Sequence, residues 1–183
     1  IEATLIHVAT PTAFLRAEAL GLSGRETPGE IDRNRRLLER VEAVRRAAAL
    51  RLGLPAHARV RVAWIGKPMA YRPAGGPEIP AEGVDLLVRS VRAGLAERDG
   101  GDDGAVGVAV AVAVPGTVPG EVARTLPGVP TRIGHAAGTL AVGAEVHRRE
   151  RRAGVPRWEV SRCTLSRTAR RLMVGELFPG DPA

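Results

Sequence analysis

The chain has 183 residues, enough for one domain with a substantial core. Its 27 Lys and Arg against 20 Asp and Glu leave a formal charge of +7, yet aromatics make up only 3%, so the stacking platforms of nucleic-acid binders are missing. A single cysteine, Cys163, excludes an internal disulfide and fits a reducing cytoplasm, and no apolar run approaches the roughly 20 residues of a membrane helix.

All but one of the basic residues are arginine, the exception being Lys67. The arginines of 33–51 and 148–171 are interleaved with glutamate, which describes a solvated surface more than a nucleic-acid footprint. A net positive field also suits a small anionic substrate.

In chain order, residues 3–8 (ATLIHV) alternate as a strand, Ala9-Thr10-Pro11 makes a turn, and 12–17 form a second short strand. The chain opens on this strand without a starting methionine or leader, which reads as the middle of a longer protein. After a Gly-, Ser- and Pro-bearing loop at 21–29, residues 32–52 read as one amphipathic helix. Leu37, Leu38, Val41, Val44, Ala48 and Leu52 share one face, and Gly53 is the stop.

Strands are expected at 60–65 (VRVAWI) and 84–91 (VDLLVRSV), with a Pro- and Gly-rich loop at 71–80 between them. A polar loop at 93–103 leads into 104–114, GAVGVAVAVAV, where every side chain is small or β-branched and none is polar. That stretch belongs in a core. Asp102-Asp103 as N-cap and Pro115-Gly116 as stop favour a slim central helix, and a fully buried strand is the alternative. Further strands are expected at 131–135, 138–147 and 157–165. Residues 167–178 fit a helix or a closing strand. The sum is an α+β domain whose mostly antiparallel sheet curls around one buried helix.

Two stretches go beyond generic pattern. TRIGHAAGTLAVGAE at 131–145 resembles the RIGHPSG…VGAE signature of the 2-methylaconitate isomerase (PrpF-like) family, and SRTARRLMVGE at 166–176 resembles its terminal RTARRLMEGE motif. LIHVATPTAFLRAEALGLSGRETP, VDLLVRSV and AVAVPGTV are similar to further segments of the family's second half, in the same order. The resemblance implies a diaminopimelate-epimerase-like fold of two pseudo-symmetric halves with the site in the cleft between them. Residues 1–183 would be a single domain equivalent to the second half; the family's cysteine at a helix N-terminus belongs to the first. It also implies proton transfer next to a carboxylate on unsaturated di- or tricarboxylates, with neither metal nor cofactor. The partners implied are a small anionic carboxylate and a first half, as a separate chain or a covalent continuation, and neither nucleic acid nor membrane.

Such chemistry needs a proton donor or base and a site for a dianionic intermediate. The resemblance places His135 as the candidate acid/base, since an imidazole handles protons near neutral pH, with a turn histidine as the structural alternative. Thr10 stands where the family's GNP turn has Asn, so it can still donate one hydrogen bond but cannot bridge as an amide does, and Ala136-Ala137 replace Pro-Ser in GHPSG, which removes one donor. Asp102-Asp103-Gly104-Ala105 replace the family's TGTGA helix start, and two carboxylates there would repel an incoming one. Arg89 and Ser90 match the strand segment that carries an arginine suited to bidentate carboxylate pairing, with a strand-surface arginine as the structural alternative. Gly134, Gly138 and Thr139 complete the substrate-binding set. Arg167, Arg170 and Arg171 read as structural ties. Cys163 lies mid-strand and reads as a buried thiol. Lys67 reads as a surface residue, and His147 with Glu150 makes a poor cation site beside two arginines.

Two functions are compatible with these residues. One is a cofactor-independent isomerase or tautomerase in which this chain forms one wall of a cleft; the other is a catalytically degenerate subunit supporting a partner that carries the reactive residues.

Overall fold

The computed structural model describes residues 1–8, 10–92, 94–96, 130–149 and 157–166. The expected core element at 104–114, the acidic entrance before it and the 167–178 segment all lie outside these residues.

Alternating branched side chains form β1 (Thr4–Val8) and β2 (Thr10–Arg16), paired antiparallel with Val8 opposite Thr10. The reversal is tighter than the expected three-residue turn, because Thr10 and Pro11 already belong to β2. A short 3-10 turn at Ala17–Leu20 ends at Gly21, and the chain then enters two helices, α1 (Pro28–Arg33) and α2 (Arg35–Arg51).

The sequence reads 32–52 as one helix, and the structure corrects this. Asn34, at φ −88° and ψ 83°, leaves the helical region, and its side chain accepts the Leu37 N–H at 3.0 Å. Asparagine competes well for such donors at helix starts, so it breaks the run and caps α2. Thr27 and Glu30 form a reciprocal capping box at the start of α1.

β3 (Arg61–Gly66), β4 (Leu86–Arg92), the two-residue β5 (Leu95–Ala96), β6 (Thr131–His135), β7 (Gly138–Arg149) and β8 (Arg157–Ser166) complete the described sheet. Its order is β1-β2-β3-β4-β6-β7-β8, with β5 paired to β4. The neighbours β2–β3 and β4–β6 run parallel and the other pairs antiparallel, giving an α+β domain with a mostly antiparallel sheet. No described helix is long and apolar enough to cross a membrane.

Successive strand residues face opposite sides, and buried apolar clusters lie on both faces of the described sheet. On the back, Leu37 and Val41 of α2 pack with Leu15, Val62, Trp64 and Val91. On the front, Phe14, Ala63, Ile65, Leu86, Val88, Ile133 and Val142 form a second cluster. β3 is buried at all six positions, so both faces of the sheet centre are dry.

Candidate active site

The two motif-bearing stretches VDLLVRS and TRIGH become neighbours, because β4 and β6 pair in parallel with Leu86 beside Ile133 and Leu87 beside Gly134. Side chains reinforce the backbone ladder of this parallel pair. At its start, Asp85 accepts from the Arg132 N–H at 2.7 Å and from its guanidinium at 2.8 Å, while Asp85 N–H donates to Arg132 O. Burial alone would raise the Asp85 carboxyl; the Arg132 bonds outweigh it and hold it below the usual carboxylate range. Further along the pair, Arg89 Nη1 donates to Gly134 O at 3.2 Å.

Arg89 is 2% exposed. Its Nε donates to Glu26 O at 2.7 Å and its Nη1 also reaches Val88 O, while its guanidinium lies 5.7 Å from the Tyr71 ring centroid. These donors are spent on main-chain carbonyls, so Arg89 ties the 23–27 loop to β4 and β6. Glu26 holds the same loop: its carboxylate accepts from the Ser23 N–H and hydroxyl, from Gly24 N–H and from the Trp64 indole at 3.2 Å. Half-buried, Glu26 would be pushed up by desolvation. The Ser23 and Trp64 bonds prevail and leave its carboxyl lowered. The loop sits so close that a Cβ on Gly66, at the end of β3, would overlap the Ser23 carbonyl.

Beyond β6 the chain turns at Ala136-Ala137 into β7, pairing His135 with Gly138 and Gly134 with Thr139. Tyr71 supports this turn from behind. Its hydroxyl lies 2.8 Å from Gly138 O and 3.2 Å from Thr139 Oγ1, and a Cβ on Gly134 would come within 2.6 Å of Leu87 and 2.9 Å of the Tyr71 ring. Only glycine leaves room for that ring. Ala74 N–H adds a bond to Ala136 O at 2.8 Å, anchoring the 71–79 loop on the turn.

Strand alternation sorts the expected site residues by face. Thr10, Ser90 and His135 keep step with Phe14, Val88 and Ile133 and so share the front, whereas Arg89, Thr139 and the open side of Gly134 share the back with Tyr71. Arg89 and Ser90, adjacent in sequence, therefore belong to different surroundings. Ser90 is 1% exposed and His135 4%, both on the side of the sheet that carries the front cluster. The Nδ1 of His135 accepts the Ala137 N–H at 3.3 Å, so the proton of the neutral ring sits on Nε2.

The register brings His135, Gly134, Gly138 and Thr139 together at one turn, with Arg89 behind them. It does not bring Thr10 there. His135 keeps step with Val88, Ile65 and Arg16, and Thr10 starts β2 six residues earlier, a strand length of roughly 20 Å. At that end Thr12 pairs with Arg61, both fully buried on the front face.

Sequence reasoning missed Tyr71, Glu26 and Asp85. Tyr71 is the only tyrosine and opens a proline-rich loop, a signal that was present but pointed nowhere without the fold. Among the described residues no group of three or more His, Cys, Asp or Glu side chains is placed to hold a metal ion.

Comparison with known proteins joins this geometry to a family. The sequence profile of the PrpF protein family matches residues 1–179. A 2-methyl-aconitate isomerase from Shewanella oneidensis is 34% identical over 95% of the chain and 45% of its own length, and one from Cupriavidus necator is 33% identical over 99% and 47%. The crystal structure of a methylitaconate-delta-isomerase superposes with a TM-score of 0.67 over 90% of the chain and 46% of its own length, at 23% identity. That likeness shows the fold, in agreement with the diaminopimelate-epimerase-like architecture the motifs implied. The chain spans about half the length of the curated relatives it matches. With a match running from β1 through β8 and beyond, the chain belongs to the PrpF family.

Proposed function

We propose that this chain is the second half of a cofactor-independent isomerase that moves a proton next to a carboxylate on an unsaturated di- or tricarboxylate of the 2-methyl-aconitate type. The observation that carries this reading is the family match over residues 1–179, together with relatives above 30% identity named as 2-methyl-aconitate isomerases. In it this chain forms one wall of a cleft completed by a first half, as a separate chain or a continuous one, in the cytoplasm. Nucleic acid and membrane play no part.

The roles divide between the two faces. His135 handles the proton on the front, through the Nε2–H its turn selects. Ser90, on the same face, offers a hydroxyl to a substrate carboxylate, whereas Thr10, a strand length away from His135, takes no part in that contact. Gly134, Gly138 and Thr139 shape the turn that presents His135, and Arg89 holds that turn through main-chain bonds more than it pairs with substrate.

The test is incubation of the protein, paired with its first half, with 2-methyl-cis-aconitate in D2O, followed by proton NMR. Double-bond migration with deuterium uptake at the γ-carbon is expected. His135→Gln should lower kcat by about a hundredfold, the scale of losing a positioned acid or base. If the paired chains neither turn over nor bind aconitate-like ligands, the isomerase reading fails and a supporting, non-enzymatic subunit takes its place.

A further inference from the structure

Tyr71 belongs to no motif that marks the family resemblance, yet it touches the turn carrying His135 on both of its strands. Its hydroxyl has one proton. Gly138 O, at 2.8 Å, can only accept, so that proton goes there; the Thr139 hydroxyl then donates to the Tyr71 oxygen across 3.2 Å. The ring meanwhile fills the space that a Cβ on Gly134 would take. Gly134 and Gly138 flank His135 and the two turn residues, and Ala74, three positions beyond Tyr71, bonds to Ala136 O.

Resting on the proton-transfer reading of His135, we infer that Tyr71 is a positioning residue for it. It pins both shoulders of the β6–β7 turn from the back of the sheet. The Ala137 N–H is thereby aimed at Nδ1, and the front face receives an imidazole fixed as the Nε2–H tautomer. Arg89, lying against the same ring and bonded to Gly134 O, closes the support from the β4 side. The hydroxyl is the part that matters: without it the ring still fills the space beneath Gly134, but Gly138 O and Thr139 lose their common anchor.

The test reads the tautomer first and the rate second. In the intact protein labelled with 15N-histidine, at a pH where imidazoles are neutral, the His135 signals are identified by their loss in His135→Gln. Wild type should show the Nε2–H pattern. Tyr71→Phe should move both ring nitrogens of His135 toward the averaged position of two exchanging tautomers, with the other histidines unmoved. Unchanged His135 signals in folded Tyr71→Phe overturn the inference. If that variant does not fold, Thr139→Val carries the test: a smaller shift in the same direction supports it, and no shift overturns it.

In the paired enzyme, Tyr71→Phe should lower kcat about tenfold with KM unchanged, as expected when a reacting group is slightly misplaced. A wild-type rate in Tyr71→Phe beside a large loss in His135→Gln also overturns it. Should His135→Gln itself keep the full rate, the catalytic reading of His135 fails, and the ring-nitrogen signals alone decide the role of Tyr71.

Discussion

Arg89 and Ser90 are neighbours on β4 and live on opposite sides of the sheet. Behind it, Arg89 bonds to the carbonyls of Glu26, Val88 and Gly134 and lies against Tyr71; in front, Ser90 is buried on the face that carries His135. The back is a brace, tying loop 23–27, β4, β6 and the β6–β7 turn into one unit. The front carries Ser90 and His135 on the same face as the apolar cluster of Phe14, Val88 and Ile133. Two residues that a motif reads as one feature thus do different work, for no deeper reason than the two-residue period of a strand.

The brace is broken most severely at Arg89. Arg89→Met would remove a side-chain donor from three main-chain carbonyls, and buried groups left unsatisfied cost about 1–3 kcal/mol each. Even with partial relaxation, a loss of about 3 kcal/mol or more in urea unfolding is expected, against under about 1.5 kcal/mol for Ser90→Ala. Equal losses at the two positions would erase the contrast.

Gly134→Ala comes next. Its methyl must displace Leu87 or the Tyr71 ring, so about 1–3 kcal/mol is expected, the range of overpacked cores. Gly53→Ala, which meets no neighbour but sits at φ 72°, separates backbone strain from collision.

Glu26 sharpens the comparison through pH. Its carboxyl is lowered in the folded state, so the stability it contributes is complete above the unfolded-chain value of about 4.3 and is lost as pH falls through the folded value. Below about pH 4.5 the urea midpoint of wild type should therefore fall more steeply than that of Glu26→Gln. Parallel curves would mean that the carboxylate does not hold the loop. The smallest effect is expected for Asp85→Asn. The Asp85–Arg132 pair is partly exposed, and such pairs contribute about 1 kcal/mol or less, so the unfolding midpoint should move slightly and more at low salt than at high.

Much of this plan was legible in the residues. Strands at 131–135 and 157–165 could be read almost to the residue, because alternation and bounding Gly, Pro and Arg give sharp ends there. The break at Asn34 was hidden, since the apolar stripe of α2 continues the spacing that Ile31 begins in α1 and a cap residue inside such a stripe looks like any polar position. The resemblance named His135, Arg89 and Ser90. It could not say that two of them stand back to back, because their facing depends on which strand lies alongside and in what register. Tyr71, Glu26 and Asp85 act over 38 to 68 positions of sequence, beyond the reach of any local pattern.

The central claim is that the front face handles the proton and the back face only holds it in place. The direct measurement is the rate of deuterium uptake into 2-methyl-cis-aconitate by the paired halves, for wild type and His135→Gln at matched folded fraction. The account predicts a loss of about a hundredfold with the unfolding midpoint nearly unmoved. A His135→Gln enzyme that exchanges at the wild-type rate would contradict it.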